Sequence, residues 1–437
     1  MSHRGSDARR RRGGGKVGAT SSSASSGSHP PAAAAAAIGS HRPPSDHSAA
    51  EHRARVAVVL AARPIDIHEL RSLAPRGFTD AERRIAWPAL LRIDTHSVSF
   101  TSAAAEFAAD IRPHAYTDQV RKDVERSFNH VRVRSSPPWS EEAKSAHRER
   151  LSRLINAVMS RNPQLHYIQG YHDICTVFYL VCGSVDAMGT GDGAAFALIE
   201  RASQTYFRDV LSATLEPVMH ALSFLYRLLL VEDPQVHALL ASTDVPPFFA
   251  LSWFLTWFAH DLAQLDSVAR LYDFFLASHA LMPLYMACEV VRAMRGDLLK
   301  LCAARPGSGS GGEIEIGPVH AMFRELPEER LDVDALIQAS MRLFHKSPPH
   351  ELLRASAVPS AFGVHSPYVA TDMDDILVPA AAAAATAAGK GKAPGRIRKF
   401  LARLFVAAPL AVAAYAVYVY QPEIVLEVSA AMFGMGF

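Results

Sequence analysis

The sequence predicts an all-α protein: a block of many helices, a low-complexity N-terminal tail and one apolar segment near the C-terminus. Three observations carry that prediction. Apolar residues recur three and four apart through the central part, as in Leu151, Leu154, Ile155 and Val158, the spacing of one helix face. No convincing period-2 run occurs there, so strands are not expected. Helix-start signals precede the periodic stretches, the clearest being Thr79 with Glu82 three residues on, the spacing of a capping box.

The totals bound the function class. A length of 437 residues suits one large domain or two smaller ones plus tails. With 49% hydrophobic residues a sizeable core can form. A formal net charge of +2 argues against a nucleic-acid partner, which calls for a basic face or stripe. The four cysteines, Cys175, Cys182, Cys288 and Cys302, include no C-x-x-C pair. Cys175 and Cys182 fall about two helical turns apart, too far to bridge. All four read as reduced thiols in a cytosolic setting. The first residues are polar and basic without an apolar h-region, so no signal peptide is expected.

Residues 1–52, with Arg9–Arg12, a serine run, Pro30-Pro31 and Ala32–Ala37, cannot bury enough surface to offset their ordering entropy and read as a disordered tail. The four arginines are a solvated feature of that tail, with a nuclear address or a lipid-headgroup contact as alternatives. Order is expected from near Arg55, in a folded domain spanning 53–355. Ile65–Ala74 reads as a short helix and Gly77 as a break. The helix capped by Thr79 is expected to turn Ile85, Trp87, Leu90 and Leu91 inward and to kink at Pro88. Gln119–Asn129 is a charged helix with Val120, Asp123 and Arg126 or Ser127 near one face. Taken alone it is a surface helix whose Asp–Arg pair is worth a few tenths of a kcal/mol. After a loop at Ser135–Pro138, Trp139 and Ser140 open another helix, with Glu141 and Glu142 favoured in its first turn by the dipole.

The chain is organised around Asn162–Ile174, a polar and aromatic stretch between a charged helix and a long apolar run. Gln169 is at its centre. A carboxamide donates and accepts at once, so it can hold a water and a phosphate oxygen together. Gly170 lets the backbone turn or another chain approach. The plain alternative is a loop entering a buried helix, with Gln169 capping a turn. Ile174–Cys182 follows as a central buried helix, then a glycine-rich loop at Ser184–Gly193. Ala194–Leu262 alternates helices with breaks at Pro217, Pro234 and Pro246-Pro247, and its aromatic stripe Phe248–Phe258 reads as core. Val268–Ala287, Val319–Phe323, Leu331–Phe344 and Glu351–Ala355 continue the helical pattern, with a Gly/Ser loop at Arg305–Gly312. Residues 356–399 read as linker with a basic cluster, Lys390, Lys392, Arg396, Arg398 and Lys399, joined by Arg403. Residues 400–420 read as a single transmembrane helix. Its uncharged run from Leu404 to Tyr420 is at the short end of the usual ~17–25 residues, with tyrosines at the far end and the basic cluster on the cytosolic side. A core or amphipathic helix is the alternative. Residues 421–437 form a short tail.

A protein that completes another protein's nucleotide site needs a permanent cation for charge on a transferring phosphoryl group and a group that places the attacking water. Arg126 supplies the first and Gln169 the second. No Walker-type loop occurs, so the nucleotide belongs to a partner. Here the sequence resembles the TBC family of Rab GTPase-activating proteins. Arg83-x-x-x-Trp87 with Leu90-Leu91 looks like the family's opening motif, Val120-x-x-Asp123-x-x-Arg126 like its arginine-finger motif, and Tyr167-x-Gln169-Gly170 like its glutamine-finger motif. Ser252-Trp253-Phe254-Leu255 and Val268-x-Arg270-x-x-Asp273-x-Phe275 look like its downstream helices. Val120 stands where isoleucine is usual. The match through Tyr171-His172-Asp173-Ile174, with the apolar C-terminal segment, resembles the branch anchored in the endoplasmic reticulum.

The resemblance implies a multi-helix, V-shaped domain that activates a Rab of early secretory traffic, the Rab being in its GTP form. It implies no cofactor of this chain's own, because the partner Rab carries GTP and Mg²⁺. Arg126 would stabilise transition-state charge, Gln169 would orient the water, and Asp123 would position the finger's helix. Tyr167 and Trp87 would serve mainly in packing, beside Gly170. Arg83 stays open between a structural role and a Rab contact. The chain would sit on the endoplasmic reticulum membrane with its domain facing the cytosol. The alternative is a catalytically silent, membrane-tethered adapter for a Rab or a membrane-shaping protein. His166, His172 and Asp173 do not have metal-ligand spacing, and no nucleophile elbow appears.

Overall fold

Capping residues and prolines divide the chain into helices. The computed structural model describes residues 46–97, 107, 111–133, 138–183, 191–242, 246–303, 316–354 and 362–378. Helix α1 (Asp46–Ala61) starts ahead of the expected onset near Arg55. It packs rather than trails: Val56, Val59 and Leu60 are buried, and His52 Nε2 donates to the Gly77 carbonyl at 2.9 Å. Alanines and charges around those three residues hide the stripe in the sequence.

Helix α2 (Ile67–Leu73) is capped by Asp66, which accepts from the Glu69 amide at 3.0 Å. A 3₁₀ turn, Ala74–Arg76, leads to Gly77 at φ +81°. Helix α3 (Asp80–Leu90) has the expected reciprocal cap, with Glu82 accepting from the Thr79 amide at 2.7 Å and Thr79 from the Glu82 amide at 3.4 Å. Trp87, Leu90 and Leu91 are buried as expected, but Ile85 is 43% exposed. It lies two positions from both Arg83 and Trp87, which puts it on the opposite helix face.

Helices α4 (Thr117–Arg126), α5 (Glu141–Arg161) and α6 (Tyr171–Cys182) carry the stretches singled out above. Then follow α7 (Gly191–Gln204), α8 (Glu216–Glu232), α9 (Pro234–Ala241), α10 (Leu251–Thr256), α11 (Leu265–Leu276), α12 (Met282–Ala293), α13 (Arg295–Ala303), α14 (Ile316–Arg324), α15 (Val333–Lys346), α16 (Pro349–Arg354) and α17 (Met373–Ile376). Pro217 and Pro234 fall in the first turns of α8 and α9, where a missing amide hydrogen costs nothing.

Helix α6 is the hub. It is buried along almost its whole length and packs on α3, α4, α5, α7, α10 and α11. Helix α12 organises the other half against α8, α10, α13 and α15. The aromatic stripe is core, with Trp253, Phe254, Trp257 and Phe258 buried. Among the described residues no strand forms. One parallel bridge joins Arg132 to Gln264, with the Arg132 amide donating to Ala263 at 2.7 Å and the Leu265 amide to Arg132 at 2.9 Å.

The linker expected at 356–399 is not wholly linker. Residues 362–378 form a strap that packs back on the helices, with Phe362, Tyr368, Ile376 and Leu377 buried. Asp374 accepts from Arg71 at 2.8 Å and Arg92 at 2.9 Å, and His279 Nε2 donates to the Ala370 carbonyl at 3.0 Å. Arg208 donates to the Val378 carbonyl at 2.9 Å and to that of His365, and Ser366 bonds to Asp209. Its apolar anchors are too sparse for a periodic signal. Among the described residues no helix is long and apolar enough to cross a membrane. The segment 400–420, residues 421–437 and residues 1–45 lie outside the described residues.

Candidate functional site

Helix α4 turns Val120, Asp123 and Val124 into the core and ends on Arg126, where the helix dipole favours a cation. The Asp123 side chain is fully buried, so its charge needs donors. It has them: Gln119 Nε2 at 3.1 Å to each oxygen, Arg126 Nη2 at 2.5 Å, and the Tyr167 hydroxyl at 2.9 Å. The Arg126 side chain keeps 47% of its surface exposed. The guanidinium is thus held to Asp123 through Nη2 while the side chain stays about half exposed.

The Asn162–Ile174 stretch is fixed along its length. The His166 amide donates to the Leu211 carbonyl at 2.8 Å, and the Tyr116 hydroxyl bonds to His166 Nδ1 at 2.6 Å. Tyr167 is buried, and burial together with the Asp123 carboxylate pushes its hydroxyl far above the usual tyrosine range. The hydroxyl therefore stays protonated and donates. Gln169 is half-buried in the turn that enters α6. Gly170 caps that helix at φ +93°, and a Cβ there would stand 2.9 Å from the Thr256 methyl.

A second polar group adjoins the turn. Asp173, in the first turn of α6, is bonded by His260 Nδ1 at 2.8 Å, and His172 Nε2 stands 3.4 Å from its other oxygen. The His130 ring centre is 6.2 Å from that of His260. Burial alone would raise the Asp173 pKa, but His172, His260 and His130 outweigh it and hold the carboxyl at about 2. Burial alone would likewise lower His260. Its bond to Asp173 wins and lifts it to about 9, against an opposing effect of Arg126. Burial raises neighbouring Asp261 to about 6. The His260 amide also donates to Thr256 Oγ1 at 3.2 Å.

Arg126, Asp123 and Tyr167 are thus joined directly, with Gln169 and Gly170 two and three residues beyond Tyr167. Tyr167 does more than pack, because it links the two motifs. Arg83 and Trp87 form a separate buried group. Arg83 donates to Asp273 at 2.9 Å and to Asp80 at 2.7 Å, Trp87 Nε1 donates to Asp273 at 2.8 Å, and the Phe78 amide adds a bond at 3.0 Å. With Arg83 only 6% exposed, this is the structural of its two alternatives. Trp87 also packs edge-on against Phe178, ring centres 5.6 Å apart. His130 and His260 were missed by sequence reasoning. Nothing within a few residues of either marks it, because their meeting with Asp173 is tertiary.

Residues 80–299 match the family model described as the Rab-GTPase-TBC domain. That stretch begins at the first residue of α3 and includes every site residue above. The chain is 34% identical over 321 residues to TBC1 domain family member 20 of Bos taurus, covering 71% of this chain and 72% of that protein. It is 30% identical over 225 residues to the GTPase-activating protein gyp10 of Schizosaccharomyces pombe, covering 52% and 54%. Among solved structures, the Ypt/Rab-GAP domain of Gyp1p aligns with a TM-score of 0.52 at 14% identity, over 67% of this chain and 97% of that one, a likeness of fold. The helical fold, the order of the motifs and the extent of these matches together establish that the chain belongs to the Rab-GTPase-TBC domain family.

Proposed function

We propose that the protein is a GTPase activator for a Rab-family small GTPase in its GTP form, lending Arg126 and Gln169 to a nucleotide the partner holds with its Mg²⁺. One observation carries this reading: Asp123 accepts from both Arg126 and Tyr167, so one buried carboxylate ties the arginine motif to the glutamine motif. Neither finger is sealed in the interior, since Arg126 is half exposed and Gln169 half-buried. When the Rab docks, the free edge of the Arg126 guanidinium donates to phosphate oxygens as charge develops there. Asp123 restrains the other edge and so lowers the entropy cost of aiming it. Gln169 donates to and accepts from the attacking water, a task its carboxamide can do without changing charge. The sequence carries no Walker-type motif, in keeping with a nucleotide held by the partner.

The reading includes attachment to the endoplasmic reticulum membrane through residues 400–420, with the domain in the cytosol. Two features support it: a short, alanine-rich apolar run suited to a thin bilayer, and the basic cluster on its near side. Single-turnover GTP hydrolysis by a panel of purified Rabs tests the activity. Wild type should accelerate at least one Rab, and Arg126→Ala should lose about 10³-fold or more of that acceleration, with a large loss in Gln169→Ala as well. Equal rates for wild type and Arg126→Ala on every Rab would leave a silent adapter as the surviving alternative.

A further inference from the structure

We propose that His260, through its bond to Asp173, is a positioning residue for the two fingers, holding the chain just after the Gln169 turn as Asp123 holds it just before. The proposal rests on the GTPase-activating reading and names a residue that neither finger motif contains. Tyr167, two residues before Gln169, is bonded to Asp123 on α4 at 2.9 Å. Asp173, four residues after Gln169, is bonded to His260 at 2.8 Å on the stretch that follows α10. Between them Gly170 rests against Thr256 of α10, whose hydroxyl accepts from the His260 amide. The turn is therefore held at both ends of its sequence, by α4 before Gln169 and by the α10 stretch after it. A shift of about 1 Å at a reacting centre can cost on the order of 100-fold, so releasing one clamp should be felt in rate.

Charge joins the clamp to the arginine finger. The groups around His260 include Asp173 on α6, Asp261 beside it in sequence, His130 on the segment after α4 and Arg126 at the end of α4, with His172 acting on the same Asp173. Asp173 and Asp261 favour the imidazolium, while Arg126 disfavours it. The cation on His260 and the guanidinium of Arg126 therefore feel each other. Because the His260 pKa is raised to about 9, the imidazolium persists at neutral pH and is lost as pH rises through that value.

Two measurements test this on the full-length protein. Imidazole NMR titration should find His260 charged at neutral pH, with its midpoint near 9 and moved upward in Arg126→Ala. A midpoint near 6.5 in both proteins overturns the proposal, and this readout does not depend on any substitution at His260 folding well. Single-turnover assays with an activated Rab should give His260→Gln a roughly 10- to 100-fold lower stimulated rate at pH 7.5. Wild-type stimulation should fall between pH 8 and 9.5, and the His260→Gln rate should lack that fall. Stimulation lost in Arg126→Ala but unchanged in His260→Gln at every pH overturns the positioning role alone. A wild-type protein that stimulates no Rab overturns the activating reading itself.

Discussion

The backbone at Gly170 has φ +93°, a region where an L side chain costs roughly 1–2 kcal/mol. The same residue meets the Thr256 methyl at 2.9 Å from where a Cβ would be, so alanine there must both strain the backbone and push α10 away. Gly170→Ala should therefore destabilise the protein by about 2 kcal/mol or more, lowering the melting temperature by roughly 5 °C. Stimulated GTP hydrolysis should fall further than stability explains, because the displaced residue adjoins Gln169. Adding Thr256→Ser removes the methyl but leaves the strain, so the double variant should recover part of the rate and part of the stability. Calorimetry and single-turnover assays on the three proteins read both. A Gly170→Ala protein with wild-type rate would mean that the turn's exact seat does not matter. Asp123 makes the complementary case at the same scale: its Oδ1 accepts from Arg126 and its Oδ2 from Tyr167, so neither bond displaces the other.

At the scale of elements, the strap of residues 362–378 converts an apparent linker into part of the fold. It covers Phe254 with Tyr368, ring centres 5.5 Å apart, and it accepts hydrogen bonds from Arg71, Arg92 and Arg208. Burial lowers the pKa of Arg208, so that guanidinium is costly to leave without the strap's carbonyls. A chain ending at residue 361 should melt about 5 °C or more below one ending at residue 378, as read by circular dichroism. Equal melting temperatures would mean that the strap merely rests on the surface. What was legible in the sequence separates by range. Thr79 and Ser140 cap their helices through partners three residues away, so these starts could be read directly. The motif pattern singled out Arg126 and Gln169 as candidates, and the hydrolysis assays proposed above are what test them. Ile85 was expected inside, but Arg83 is the one buried, and it goes in because Asp273, 190 positions later, is there to meet it. The strap's Asp374 meets Arg71 across 303 positions, and His260 meets Asp173 across 87. Such contacts leave no local pattern, since each partner alone looks like an ordinary surface charge.

For the whole molecule, the strap sets where the proposed membrane tether would begin. If residues 400–420 span a bilayer, the chain between the strap's last residue, Val378, and Phe400 sets how far the domain reaches. Fully extended, those residues cover at most roughly 70 Å. A Rab attached to the same surface is then met at a raised effective concentration, while a Rab in solution is not. The full-length protein should therefore stay with membranes after carbonate extraction, whereas a chain ending at residue 378 should be released. Both should stimulate a Rab in free solution equally, because Arg126, Gln169, His260 and the strap are all retained in the shorter chain. On vesicles carrying a lipid-attached Rab, the full-length protein should be faster, by a factor that grows as the vesicles are diluted, because its rate falls more slowly than the shorter chain's. Release of the full-length protein by carbonate would show that residues 400–420 do not span the bilayer, and the domain's activity would then have to find its Rab without that proximity.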